Sequence, residues 1–195
     1  MSKKTDYKGL YQNTDLITPL EYDCGKLCGS ICCQSDQKGH TGVYLLPGEE
    51  EMFTGNEDWL QWELQHPEDG DFPPDWEYPV YFIQCIKPCP RDRRPLSCRF
   101  FPLAPHLLRD NTLLLIHETL TLPYLCPLIE KKVPLRRDFI ETVALCWQEL
   151  LKDRRIYSLV KMDSQDRESE GIKPTVLWWG KRLLNQHAKE TDSVE

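Results

Sequence analysis

The chain has 195 residues, nine cysteines and a formal net charge of −7. This length suffices for one domain with a hydrophobic core, or for a small metal-binding module followed by a helical extension, and we favour the second arrangement. A negative chain without a basic stripe argues against nucleic-acid binding, and no stretch approaches the roughly 18 apolar residues of a membrane span.

The sequence begins with MSKKTDYKGL, which has no apolar run after its lysines and so does not predict a signal peptide. We therefore expect a soluble protein of the reducing cytoplasm, where clustered cysteines more often bind metal or do redox chemistry than form disulfides. Residues 1–20 are polar with scattered apolar side chains, which predicts an irregular arm packed over the core.

A group of cysteines follows this arm. Three of them stand four residues apart and would share one face of a helix: Cys24, Cys28 and Cys32. Gly25 and Gly29 weaken such a helix, but they let the backbone approach a metal centre closely. Cys33 follows Cys32 directly, so we expect the two thiols to point in different directions, and one could serve a second metal or the second half of a polynuclear centre.

Residues 39–84 form an acidic insert that is rich in aromatic side chains. The insert has no lysine or arginine, whereas eleven acidic residues lie between Glu49 and Glu77. The run GVYLL at 42–46 predicts a short strand, and the glutamates at 49–51 suit the solvated first turn of a helix, or else a hard-cation site. Its aromatic residues either form a surface for a protein partner or cover the cysteines from water. They include Trp59, Trp62, Phe72 and Trp76.

A second cysteine-rich stretch, Cys85–Pro102, follows a predicted strand. The alternation in YPVYFIQC, residues 78–85, predicts a strand that delivers Cys85 to the site. The stretch contains three cysteines and four prolines, and because prolines exclude a long helix, it predicts a rigid loop that aims thiols. A further strand at 112–116 leads towards Cys126.

Beyond Pro134 the apolar spacing becomes helical. The stripe consists of Phe139, Val143, Trp147, Leu150 and Leu151. Cys146 lies beside this stripe and is predicted to be a buried free thiol instead of a ligand. The polar run 162–171 predicts a break, residues 176–184 predict an amphipathic helix, and the tail from Gln186 is expected to fray.

These elements predict an α+β fold. Short strands and loops would form a cysteine-cluster domain at 1–130, with the acidic insert within it. A C-terminal helical extension at 131–195 would pack on that domain.

The cysteine pattern resembles a known family. The motifs C-x3-C-x3-C-C at 24–33, C-x3-C-P at 85–90 and R-P-x2-C-R-x2-P at 94–102 are similar to those of the YkgJ-like cysteine-cluster family, over roughly residues 20–130. The resemblance implies a zinc- or iron-chelating domain with eight characteristic cysteines and no settled reaction. The eight are Cys24, Cys28, Cys32, Cys33, Cys85, Cys89, Cys98 and Cys126. The long spacing between Cys33 and Cys85 is not explained by the family.

The thiolates need partners that offset their negative charge. Four arginines lie in the second cysteine-rich stretch, and we expect Arg94 and Arg99, which bracket Cys98, to donate hydrogen bonds to sulfur. The chain has no C-x2-C pair of the kind common in structural zinc sites, and two of its cysteines precede proline, which slightly favours an iron–sulfur cluster over zinc.

Three classes of function follow. An iron–sulfur or zinc protein with a redox or electron-carrying role is preferred, and a structural zinc-binding interaction module without catalysis is the alternative. An enzyme is the weakest hypothesis. The N-terminal cysteine motif has one residue too many for a radical S-adenosylmethionine enzyme, and the histidines at 40, 66, 106 and 117 have no catalytic spacing.

Overall fold

Residues 4–34, 42–74, 76–87 and 89–183 are described by a computed structural model of the chain. The fold is α+β, as predicted, because helices accompany two small antiparallel sheets. The helices are α1 (Tyr7–Thr14), α2 (Gly25–Cys28), α3 (Leu96–Phe100), α4 (Pro127–Glu130), α5 (Arg137–Leu150) and α6 (Arg154–Ser169). The strands are β1 (Gly42–Tyr44), β2 (Leu60–Gln65), β3 (Val80–Cys85), β4 (Leu103–Leu107), β5 (Thr112–His117) and β6 (Val176–Arg182).

The first sheet is built within the acidic insert and has the order β1-β3-β2. Strand β3 forms where it was predicted and ends at Cys85, which lies opposite Leu60 of β2. Its buried residues, Val80 and Ile83, lie on opposite faces, so the predicted alternation is not observed. Strand β2 corrects our expectation that residues 55–79 form a loop-rich region. Its sequence LQWELQ is polar at several positions, and it is a strand because it pairs along the whole of β3.

The second sheet has the order β4-β5-β6, and its central strand β5 is buried along its whole length. Strand β4 contains Pro105, which is tolerated because β4 is an edge strand. Strand β6 overturns the predicted amphipathic helix at 176–184. The apolar residues of VLWWGKR suit either structure, and pairing with β5 decides for the strand.

Helix α5 confirms the predicted stripe, whereas α6 corrects the predicted polar break at 162–171. The inner face of α6 places Ile156 and Val160 in the core, followed by the polar Ser164 and Arg167, which are also buried. Ser164 Oγ accepts a hydrogen bond of 2.9 Å from Leu107 N of β4, so a polar sequence is compatible with a packed helix.

The described part of the N-terminal arm contains helix α1 at 7–14, which corrects the predicted irregular structure there. Asp6 caps α1 by accepting a hydrogen bond of 3.0 Å from Gly9 N, and the helix buries Tyr7, Leu10 and Tyr11. These side chains join β4, β5, α5 and α6 in one hydrophobic core. That core draws on both predicted domains, and the boundary between them stays a prediction.

The glutamates at 49–51 begin a short 3₁₀ helix, Glu49–Met52, instead of an α-helix. Glu49 is fully buried, which corrects the expected solvated face. Its carboxylate accepts hydrogen bonds from Tyr11 Oη at 2.8 Å, Leu96 N at 2.7 Å and Leu46 N at 3.0 Å.

Three predictions concern residues outside the described part of the chain: those for His40, for Leu184 at the end of the predicted last helix, and for the tail from Gln186. Among the described helices, none is long and apolar enough to cross a membrane.

Candidate metal centre

The first cysteine group lies on two short helical turns. Helix α2 ends at Gly29, whose φ of 65° is left-handed, and a 3₁₀ turn, Ile31–Cys33, follows. The cysteines at 24, 28 and 32 therefore do not line one face of a continuous helix. The sulfurs of Cys32 and Cys33 lie 3.9 Å apart, so the adjacent thiols, which we expected to point apart, are in contact.

The second cysteine group begins where the first sheet ends. Cys85 is the last residue of β3, and it packs with Cys89 against an apolar cluster that includes Trp59 and Leu60. Cys98 lies in the five-residue helix α3, which starts after Pro95. The stretch contains no long helix, as its prolines predicted, and two short helical segments replace the expected loop.

The eight predicted ligands lie in one region of the molecule. Cys24 and Cys98 line the same small cavity of about 20 Å³, although 73 residues of sequence lie between them. Cys24 also packs against the apolar cluster that contains the buried Cys126. Electrostatic interactions connect the remaining cysteines. Cys98 interacts with Cys32, Cys33 and Cys89. Cys85 interacts with Cys33 and Cys89, and Cys28 interacts with Cys126.

Cys146 lies apart from this group. It is 2% exposed in the main core, in the middle of α5. Burial and then Glu149 raise the pKa of its thiol to about 11, and no other cysteine of the described chain contributes to that shift. Its place in the core agrees with the sequence-based hypothesis of a buried free thiol.

In each of two cysteine pairs, Cys32 with Cys33 and Cys85 with Cys89, one thiol has a lowered pKa and the other a raised pKa. The hydrogen bond from Cys32 and, more weakly, the charge of Arg94 lower the pKa of Cys33 to about 6. The Cys85 thiol and Arg94 likewise lower the pKa of Cys89, while the hydrogen bond to Cys89 raises that of Cys85. A metal must therefore displace protons from the remaining thiols to bind them as thiolates.

The Cys98 thiol stands outside these pairs and is difficult to ionise. Burial raises its pKa to about 12, and the charges of Cys33 and Cys89 add to that shift. Burial and then Asp23 also raise the pKa of Cys24. Burial is the largest cause of both shifts, and a cation bound at the site would favour the ionised thiolates against it.

Arg94 is the cation at the centre of the group. It hydrogen-bonds with Cys89 and interacts with the charge of Cys33. Its Nη2 lies 3.7 Å from Asp23 Oδ2, and its Nε is buried without a hydrogen-bond partner in the described chain. Arg94 is therefore in position to offset thiolate charge.

Arg99 has a different role from the one we predicted. It donates hydrogen bonds to Arg94 O at 2.7 Å, to Tyr11 O at 3.1 Å and to Thr14 Oγ1 at 3.2 Å, and another to Asp92 O. Its guanidinium also stacks 4.4 Å from the centre of the Tyr11 ring. These contacts connect the second cysteine-rich stretch to α1. Arg99 therefore positions that stretch, and the acceptors of these hydrogen bonds are oxygen atoms and not sulfur.

Two residues of the site were missed in the sequence. Asp23 forms ion pairs with Arg91 and Arg94. Tyr124 lies near both cysteine groups, because burial and then Cys32 and Cys98 raise the pKa of its hydroxyl. The available signal was their position next to, or two residues before, a predicted ligand. His106 and His117 instead lie buried in the second sheet.

The donor set fits a soft metal ion, but the side chains are not yet in coordinating positions. Among the described residues, no group of three or more His, Cys, Asp or Glu side chains is arranged so that it could hold a metal ion. Cysteine thiolates are the ligands that zinc and iron–sulfur clusters prefer. The chemistry of the site therefore matches the expected metals, and binding would require the thiols to close in.

No protein-family model, curated protein or solved structure matches the chain. The resemblance to the YkgJ-like family stays a prediction that rests on the cysteine motifs.

Proposed function

We propose that the chain binds metal through the eight gathered cysteines, as an iron–sulfur cluster or as zinc, with a redox or electron-carrying role in the first case. The observation that carries the proposal is the convergence of eight thiols from residues 24–126, while the ninth cysteine lies apart in the core. Five of the eight thiols have a raised pKa, and a metal cation bound among them would offset that cost of ionisation.

The contacts favour two groups of thiols, with Cys32 between them. Cys24 and Cys28 belong with Cys126, whereas Cys32 interacts with Cys33 and Cys98 more strongly than with Cys24. The second group is Cys33, Cys85, Cys89 and Cys98. The contact between Cys32 and Cys33 joins the two groups, which suits either two adjacent mononuclear sites or one polynuclear centre.

The charge balance supports a role for Arg94 in this proposal. A divalent metal with four thiolates carries a formal charge of about −2. Arg94 interacts with thiols of both groups, so it can offset part of the charge of each. Asp23 pairs with the same arginine, at 3.7 Å.

The alternative is a structural zinc-binding interaction module without catalysis. It is favoured by the way the second cysteine group packs beneath Trp59 and Leu60, which would let closed zinc sites hold the insert in shape. A cytoplasmic location and membership of the YkgJ-like family belong to both versions of the proposal. A protein partner that binds through the acidic aromatic insert is part of both as well.

Purification of the full chain without oxygen tests the proposal and separates its two versions. Iron and acid-labile sulfide, together with visible sulfur-to-iron charge-transfer absorption, are expected for the cluster. Zinc without visible absorption would establish the alternative. A chain that retains neither metal, and takes up neither when its reduced form is incubated with ferrous iron and sulfide or with zinc, would refute metal binding altogether.

A further inference from the structure

A groove of about 650 Å³ lies outside the metal centre. Four segments form its walls: the start of the chain at 4–7, the turn at 47–51, the segment 73–78 of the acidic insert and the junction of α5 with α6 at 153–158. No cysteine lines it. Its volume falls within the roughly 300–1,000 Å³ of typical ligand-binding pockets.

Two aromatic rings lie along the insert side of this groove. The rings of Trp76 and Tyr78 are 5.8 Å apart and nearly perpendicular, at 83°. Trp76 Nε1 donates a hydrogen bond of 3.1 Å to Tyr78 O, and Phe72 packs against the other side of the indole at 5.4 Å. These contacts fix the rings before any ligand arrives, which lowers the entropic cost of binding.

The same wall is acidic. Glu50, Glu51 and Glu77 line the groove, and the described insert contains no basic residue between positions 42 and 84. Glu50 uses one carboxylate oxygen to accept a hydrogen bond of 2.9 Å from Gly48 N. Aromatic faces beside carboxylates are the combination that binds organic cations.

Three basic residues of the chain itself line the groove, Lys4, Arg154 and Arg155. Lys4 Nζ lies 2.7 Å from Glu51 Oε2, in a pair whose side chains are 72% and 59% exposed and which is therefore weak. The guanidinium of Arg155 stacks 4.8 Å from the centre of the Tyr78 ring and pairs with Asp153. The groove thus already binds an ammonium group through a carboxylate and a guanidinium group through an aromatic ring.

We propose that the groove binds a segment of a partner protein that carries arginine or lysine side chains. One cationic side chain of the partner lies against Trp76 and pairs with Glu77, and a second replaces Lys4 at Glu51. The opposite wall, with Arg154 and Arg155, favours an acidic or neutral residue in the same segment, which selects a mixed sequence over a purely basic one. This site is independent of the metal.

The test uses the full chain with whatever metal it retains, at low ionic strength. A fluorescein-labelled decapeptide with three arginines among alanine, proline and one glutamate is compared with peptides in which the arginines are glutamine or glutamate. We expect only the arginine peptide to bind, with an affinity that falls as salt rises. Equal binding of the three peptides, preference for the glutamate peptide, or no binding of the arginine peptide would each overturn the proposal.

Matched variants locate the site. Trp76→Ala and Glu77→Gln should each weaken binding about three- to fivefold, as expected for an exposed cation–π contact or ion pair. Trp179→Ala and Glu63→Gln remove an exposed indole and an exposed carboxylate that lie on strands outside the groove, so they should leave binding unchanged. Lys4→Ala should strengthen binding, because it removes the internal competitor at Glu51.

Equal loss in the two tryptophan variants would refute the assignment of the groove. Circular dichroism and metal content of each variant show whether it folds as the parent does. Because no cysteine lines the groove, failure of the metal proposal would leave this one standing, and the reverse also holds.

Discussion

Glu49 illustrates how one side chain joins distant parts of the chain. Its buried carboxylate connects α1, through Tyr11, with the start of α3, through Leu96, two residues before Cys98. Burial is the largest influence on its pKa and raises it, while the hydrogen bonds from Leu96 and Leu46 oppose that shift. Glu49 therefore helps to place a predicted metal ligand without lying among the ligands.

Glu49→Ala should destabilise the chain by about 3 kcal/mol, because it leaves two buried backbone N–H groups and one hydroxyl without an acceptor. Urea denaturation followed by circular dichroism measures this loss. The control is Glu63→Ala on the exposed face of β2, which should change the free energy of unfolding by less than about 0.5 kcal/mol. Similar losses in both variants would show that the buried network is not what stabilises this region.

The aromatic residues of the insert divide between the two interpretations that the sequence left open. Trp59 is 5% exposed and packs with the cysteines at 85 and 89, so it covers the site. Trp76 lines the groove on the other side of the insert, where it is available to a partner. The sequence could not separate them, since both stand among acidic residues and loops.

At the scale of elements, the metal should matter to the cysteine segments and not to the main core. That core is formed by α1, α3, the second sheet, α5 and α6, and of the nine cysteines it contains only Cys146. The clusters around the other cysteines are small. Binding free energy of the metal is therefore expected to become folding free energy only in those segments.

Hydrogen exchange with and without chelator checks this expectation. Metal removal should abolish protection in residues 24–34 and 85–94, while the amides of α3, β5 and α5 stay protected. Leu113 and Leu115 are the reporters, because they are fully buried in the centre of β5. Loss of protection at these two residues, at the same rate as in the cysteine segments, would mean that the metal holds the whole fold.

The elements that the sequence predicted are those with a clear apolar stripe or a short apolar run. The stripe of α5 and the strands at 42–44, 80–85 and 112–117 fall in this class. Helix α6 was missed because Ser164 and Arg167 occupy buried positions and satisfy their polar groups against β4 and Thr119. Strand β6 was mistaken for a helix because only its pairing with β5, a long-range contact, decides its structure.

The same distinction holds for the candidate site. Cysteine spacing pointed to eight thiols as ligands, and that ligand set stays a prediction, although electrostatic interactions link these thiols in the structure. The contacts of Glu49 and Arg99 were not predictable, because each depends on Tyr11, which lies far away in sequence and was placed in an irregular arm. A run of three glutamates gives no sign that its first member is buried.

At the scale of the whole molecule, one core supports two separate surfaces. The cysteines gather at the end of the first sheet and beside α3, and the groove opens between the insert and the junction of α5 with α6. The insert contributes to both, since β3 ends at Cys85 and the residues before it carry Trp76 and Tyr78. A partner bound in the groove would therefore contact the segment that leads into β3, the strand that ends at the predicted ligand Cys85.

The claim that eight cysteines form the metal centre and the ninth does not is tested most directly by the metal-to-protein ratio of two variants purified without oxygen. Cys146→Ala should keep the full ratio of the parent chain and lose only packing energy, on the order of 1 kcal/mol. Cys98→Ala should lose at least one metal, because it removes a thiol that interacts with both Cys33 and Cys89. Equal metal loss in the two variants, or full retention in Cys98→Ala, would contradict the account.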